Sequence, residues 1–160
     1  MSINQRIART ALLLALAIAV QQFRVQWLTG PAINAILVLT IVYVDVYSAA
    51  IVGSMTPVLA LINGIMPLAI VVPFIIAANI AYVVAFSWQY KNNIFIAISI
   101  SAIMKYVVLA VAVTFIIDVP PPVAYALTTP QLFTSVVGGM IAAVIINYLP
   151  IEQSIHQSDK

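Results

Sequence analysis

Between Pro31 and Ile62 the chain carries a single charged side chain, Asp45, in an otherwise apolar stretch. An unbroken helix across it would be roughly 48 Å long, against a bilayer hydrocarbon core of about 30 Å. The stretch must therefore turn back on itself, and Asp45-Val46-Tyr47-Ser48 is the one polar place to do so. This predicts two membrane-spanning helices, residues 31–45 and 48–62, joined by a tight turn. Ser48 is placed to cap the second helix. Gly53 and Pro57 should bend it near its middle, because proline removes a backbone donor and crowds the preceding turn.

The remaining sequence repeats the pattern. Of 160 residues, 64% are apolar and 6% charged, whereas a soluble domain holds about 25% charged residues. Such a chain cannot offer water a compatible surface. The expectation is an all-α, six-helix membrane protein forming a single domain, its other spans at residues 7–23, 67–88, 94–117 and 130–149. Asn63-Gly64 turns the third span into the fourth, which opens at Pro67 or Pro73. Gln89 to Asn93 form a polar loop. Asp118 and Pro120-Pro121-Pro122 end the fifth span, and Pro130 opens the sixth, which finishes near Leu149-Pro150. Arg6 and Arg9 ahead of ALLLALAIAV also fit a signal peptide cleaved after Ala19. Membrane-like sequence rather than a secreted domain follows, so the segment is read as a retained first span.

Six spans put both termini on one side. With that side cytoplasmic, Arg6, Arg9, Lys91 and Lys160 lie inside and Arg24 outside, as the positive-inside rule requires. Tyr43, Tyr47, Trp88, Tyr90 and Tyr148 then mark the inner interface and Trp27 the outer one. The net charge of +2 gives no footing for nucleic acid. No cysteine is present, and neither a metal nor a cofactor is expected. No acidic residue lies within a span except Asp45 at its turn, so the proton or sodium relay of secondary transporters is missing. A GxxxxGK[ST] phosphate loop, HExxH, GxSxG and a Ser/His pair are all absent, and no enzyme activity is expected. His156, the only histidine, sits in the polar tail.

Two features invite a binding role. QQFRVQWLTGPAIN, Gln21 to Asn34, is the densest polar patch in the chain. It forms the first external loop and the start of the second span, with Pro31 at the first helical position. The competing reading is a wet interfacial loop in which Arg24 snorkels and Trp27 anchors. Lys105 lies near the middle of the fifth span, where a lysine costs about 2.5–3.5 kcal/mol on insertion scales. Ser101 one turn before it and Asn79 at similar depth make its surroundings polar. The alternative is a lysine held by carbonyls and water. Arg24, Gln26, Trp27, Asn34, Asn63, Asn79 and Lys105 are the candidate ligand contacts, with the two cations facing an anionic group. Ala11, Ala15 and Ala19 recur every four residues on the first span, a face of minimal bulk that lets another helix approach.

Together these residues resemble the S components of energy-coupling factor (ECF) transporters, bacterial importers of vitamins and micronutrients. The likeness is to a poorly characterised group of S components. It rests on Gln21 to Arg24, Thr29-Gly30-Pro31-Ala32-Ile33-Asn34-Ala35 (TGPxxNA), Thr56-Pro57, Pro73-Phe74 and Lys105. The second turn departs from it, since relatives carry Gly and Pro where this chain has Asp45 to Ser48. The resemblance implies a substrate-binding subunit in the bacterial cytoplasmic membrane. Its partners would be a transmembrane T component, met through Ala11, Ala15 and Ala19, and two cytoplasmic ATPases. The substrate, a small vitamin-like molecule, would bind near the outer face beneath the first loop and the loops after spans three and five. A stand-alone carrier or channel subunit and a ligand-free structural subunit are the rival readings.

Overall fold

The computed structural model describes residues 1–66 and 68–149. Pro67, Pro150, His156 and Lys160 lie outside the described residues. Within them all regular structure is helical: α1 (Ile3–Gln21), α2 (Gln26–Tyr43), α3 (Val46–Ile62), α4 (Val72–Gln89), α5 (Ile94–Val111), α6 (Pro121–Leu127) and α7 (Thr129–Tyr148). A 3₁₀ turn, Ala69–Val71, leads into α4, and a π-helical turn, Ala112–Ile116, extends α5. Five helical stretches are long and apolar enough to cross a membrane: α1, α2, α4 with its leading turn, α5 with its π turn, and Pro121–Tyr148. The apolar α3 has 17 residues, the short end of the spanning range. The chain is a helical, multi-pass membrane bundle.

Helices α2, α3, α4, α5 and α7 close a ring in that order, each packed on the next and α7 back on α2. α1 lies outside the ring against α2 and α3, and α6 packs on α7 and α5. Burial runs opposite to that of a soluble protein. Leu12, Ile51, Val84, Phe95, Ile103 and Val144 point outward, while Asn34, Thr40, Thr56, Asn79, Ser101 and Lys105 are buried. Lipid solvates the large apolar side chains, and helix contacts are left to small and polar residues. Gly138 shows this most sharply: a Cβ there would lie 2.7 Å from the Asn34 Cβ and 2.9 Å from the Ala35 backbone nitrogen. Backbone therefore meets backbone where α7 crosses α2.

The two ends of the bundle differ. At one end Arg6 pairs with Asp45, the Arg9 guanidinium donates to the Tyr43 carbonyl at 3.2 Å, and the Tyr43 hydroxyl donates to the Leu149 carbonyl at 2.7 Å. The start of α1, the α2–α3 turn and the end of α7 thus share this end. Tyr90 and Ile94 join it by packing with Val42, Val46 and Ile146 around one buried cluster. A second cluster, Val71, Ala78, Leu109, Ile117 and Leu127, gathers the start of α4, the end of α5 and α6 at the opposite end.

Several element boundaries differ from the sequence expectation, each for a local reason. The turn at Asp45 occurs as expected, but Asp45 rather than Ser48 caps α3. Its carboxylate accepts from the Ser48 backbone N–H at 2.8 Å, and the Ser48 hydroxyl donates to the other oxygen at 3.2 Å. A carboxylate at this position also meets the positive end of the helix dipole. α2 starts at Gln26, so Pro31 lies inside it and not at its first position. α4 opens with Pro73 in its first turn. The triple proline, expected only to end the fifth span, starts α6: prolines in a first turn have no N–H to lose and a φ already set for helix. Gly64, with φ of +63°, closes α3, and the Ile65 N–H reaches back to the Ala60 carbonyl at 2.9 Å.

The cap gives a clean test. Asp45→Asn keeps a side-chain oxygen for the Ser48 N–H and loses the Arg6 ion pair, which is part-exposed and worth at most about 1 kcal/mol. Asp45→Ala loses both, adding about 0.5–2 kcal/mol for the cap. Thermal unfolding in detergent should rank wild type first, the asparagine variant close behind and the alanine variant clearly last.

Candidate ligand-binding chamber

A cavity of about 350 Å³ opens among the helix ends on the side away from Arg6 and Arg9. This is within the range of small-molecule sites. Every helix contributes to its wall. α1 supplies Gln21, α2 supplies Gln26 and Asn34, α3 supplies Thr56 and Pro57, and α4 supplies Asn79. Lys105 comes from α5, Val123 and Leu127 from α6, and Gln131 from α7. Most of the remaining lining is aliphatic, including Ile33, Ala60, Met66 and Ile75.

Lys105 is held from two sides. Its Nζ donates to Asn34 Oδ1 at 2.7 Å and stands 5.6 Å from the centre of the Tyr82 ring, within reach of a cation–π contact. Asn34 is itself fixed, its Nδ2 donating to the Gly30 carbonyl one turn back at 2.9 Å. Gly138 lets α7 close behind it. An ammonium has three donors, and no Asp or Glu is among the residues lining the cavity. The one ion pair among the described residues, Arg6–Asp45, lies at the other end of the bundle. The chamber therefore holds a lysine with no carboxylate to pair with it.

Another part of the wall follows from a proline. Pro57 has no N–H, so the carbonyl four residues earlier, Gly53, loses its helical donor. Asn79 supplies one from α4: its Nδ2 donates to the Gly53 carbonyl at 2.8 Å. Gly53 has no side chain to hold α4 away, and a Cβ there would come within 3.1 Å of the Asn79 Cβ. Gln21, at the end of α1, donates through Nε2 to the Thr56 carbonyl at 3.1 Å. Both amides are thus tied to α3 through their nitrogens. Their oxygens, Asn79 Oδ1 and Gln21 Oε1, are buried and accept no hydrogen bond from the protein. A double-mutant cycle should expose the proline's role. Asn79→Leu leaves the buried Gly53 carbonyl with only the Thr56 hydroxyl, at 3.3 Å, at a cost of about 0.5–1.5 kcal/mol. In a Pro57→Ala background, where the helix supplies its own donor, it should cost at least about 0.5 kcal/mol less by thermal or denaturant unfolding.

Of the residues singled out from sequence, Gln26, Asn34, Asn79 and Lys105 line this one cavity. Arg24, Trp27 and Asn63 do not line it; all three are exposed. Each adjoins lining residues in the chain, Arg24 and Trp27 beside Gln26, and Asn63 between Ala60 and Ile65. Arg24 adopts a φ of +55°, a left-handed conformation uncommon outside glycine, which turns α1 into α2. The expected convergence of Arg24 with Lys105 on one chamber is absent, because that turn leaves the guanidinium outside it. Trp27, 60% exposed, is placed as an interfacial anchor would be. Gln21, Thr56 and Gln131 line the cavity and were not among the candidate ligand contacts. Gln21 had a sequence signal, opening the polar patch after an apolar span, and Thr56 another in the Thr56-Pro57 element; Gln131 had none beyond its neighbouring proline. Ala11, Ala15 and Ala19 are exposed along α1. No family model, curated protein or solved structure matches the chain.

Proposed function

We propose that this chain is the substrate-binding subunit of an ATP-driven importer of the energy-coupling factor type, holding a small, vitamin-like anionic molecule in its chamber. The observation that carries the reading is a small-molecule-sized cavity whose buried Lys105 has no carboxylate facing it. Leaving a cation in a membrane bundle is costly unless something supplies the opposite charge, and such groups mark ligand and ion pathways. The chain supplies a place to bind and no recognisable motor. Six crossings, counting α3, would return both termini to one side. Arg6, Arg9 and Lys91 then make that side cytoplasmic and open the chamber outward, in a bacterial cytoplasmic membrane.

A motor must dock somewhere, and α1 supports that part of the proposal. It is appended to the outside of the ring, and Ala11, Ala15 and Ala19 lie exposed along it. Small residues at this spacing suit close approach by a helix of a transmembrane T component, itself coupled to two ATPases. The test is uptake into liposomes by the chain with and without a T component and ATPase pair from the same genome. ATP-dependent accumulation in the full complex alone, lost in Ala11→Leu/Ala15→Leu with ligand binding intact, supports the reading. Uptake by the purified chain alone would make it a carrier. A folded chain that binds no small molecule would make it a structural subunit.

A further inference from the structure

We infer that the chamber selects an organic monocarboxylate whose apolar body carries at least one N–H or O–H donor besides the carboxylate. The inference rests on the chamber being the ligand site, as proposed above, and adds the chemistry of what fills it. Three observations set that chemistry. The first is charge. One cationic side chain, Lys105, lines the cavity, with no second cation and no carboxylate beside it. One positive charge matches a carboxylate; a phosphate monoester carries about −1.5 to −2 at neutral pH and would be left under-neutralised.

The second observation is the pair of orphaned acceptors. Asn79 is 2% and Gln21 6% exposed, and both line the cavity. Each spends its amide nitrogen on a backbone carbonyl of α3. Their oxygens are buried and reached by no protein donor, on side chains that line the cavity. A buried carbonyl without a donor is uncommon in folded proteins, and two on one cavity wall ask for a donor from the ligand. The third observation is the aliphatic share of the lining. Ile33, Ala60, Met66, Ile75 and Leu127 give a greasy wall that a sugar or an amino acid zwitterion would fill poorly. Carboxylate on Lys105, apolar body on the aliphatic wall and donor on Asn79 and Gln21 use the lysine and both orphaned amide oxygens. A zwitterion would also bring a second cation toward Lys105.

The test is binding by the full-length, ligand-stripped protein in detergent, using matched probe series on three bodies: indole-3-propionate, 3-(4-hydroxyphenyl)propionate and a lactam-bearing alkanoate. Each acid is compared with its primary amide, with the phosphate monoester of the corresponding alcohol, and with the acid whose N–H or O–H is methylated. In at least one series the acid should bind best, its amide and phosphate at least about 30-fold weaker, as for loss of a buried charge-paired contact. Methylating the donor should cost at least about fivefold in the wild type and under about twofold in Asn79→Leu. Gln21→Leu provides the same comparison if the Asn79 variant does not fold. A phosphate or neutral amide binding best overturns the monocarboxylate assignment and leaves the chamber as the ligand site. An acid indifferent to methylation overturns the donor assignment. No binding in any series by a protein with a cooperative melt overturns both this inference and the ligand-site reading beneath it.

Discussion

Lys105→Met is expected to abolish binding in the chamber and leave the bundle at least as stable as the wild type. Methionine keeps the length and apolar stem of lysine and removes the charge, so α5 still packs against Tyr82 and Asn34. Truncating one partner of a buried charge pair costs about 2–5 kcal/mol, a loss in affinity of about 30-fold or more. The unliganded protein, by contrast, no longer buries an amine whose one polar side-chain partner among the described residues is a neutral amide. Exchanging a buried charge for an apolar side chain of similar volume is often neutral or stabilising. A function-dead variant that melts at or above the wild-type temperature separates a ligand-binding lysine from a structural one. If Lys105 were there to hold the helices together, the same substitution would lower the melting temperature.

Gly138→Ala should produce the largest structural effect of a single added methyl group. The new Cβ would collide with the Pro31 carbonyl, the Asn34 Cβ and the Ala35 nitrogen. Backbone atoms cannot swing aside as a side-chain tip can, so α7 must back away from α2. Overpacking of this kind costs about 1–3 kcal/mol and occasionally more. Asn34 is the residue being pushed, and it positions Lys105 Nζ through a 2.7 Å hydrogen bond. The variant should therefore lose both melting temperature and affinity. Gly64→Ala is the control: a Cβ there meets nothing within 4 Å, although the φ of +63° makes it strained. It should reduce stability modestly and leave the chamber alone. Equal affinity in wild type and Gly138→Ala would show that Asn34 does not depend on this crossing.

Much of the architecture was legible because bilayer physics limits what an apolar chain can do. The length between Pro31 and Ile62 forced a turn, and Asp45 was the only charge able to make one. Lys105 stood out because a lysine deep in a span needs a reason. The parts not legible from sequence depend on which atoms end up facing one another. That Asp45 caps while Ser48 reinforces is settled by one turn of helix geometry. Pro31 looked like a helix start because proline is so often found there, yet α2 accommodates it one turn and a half inside. Arg24 and Trp27 shared a polar cluster with Gln26, but the left-handed Arg24 directs them outward and Gln26 inward. The roles of Gln21 and Asn79 needed the third dimension altogether, since they answer carbonyls on a helix distant in sequence from each.

The central claim is that a small molecule occupies the chamber lined by Lys105, Asn79 and Gln21. Native mass spectrometry of the full-length protein, purified gently from membranes beside its Lys105→Met variant, tests it most directly. The expected spectrum shows a discrete small-molecule adduct on the wild type, negatively charged once released, and none on the variant. An identical adduct on both proteins, or bare wild-type protein that no added metabolite shifts, would contradict it.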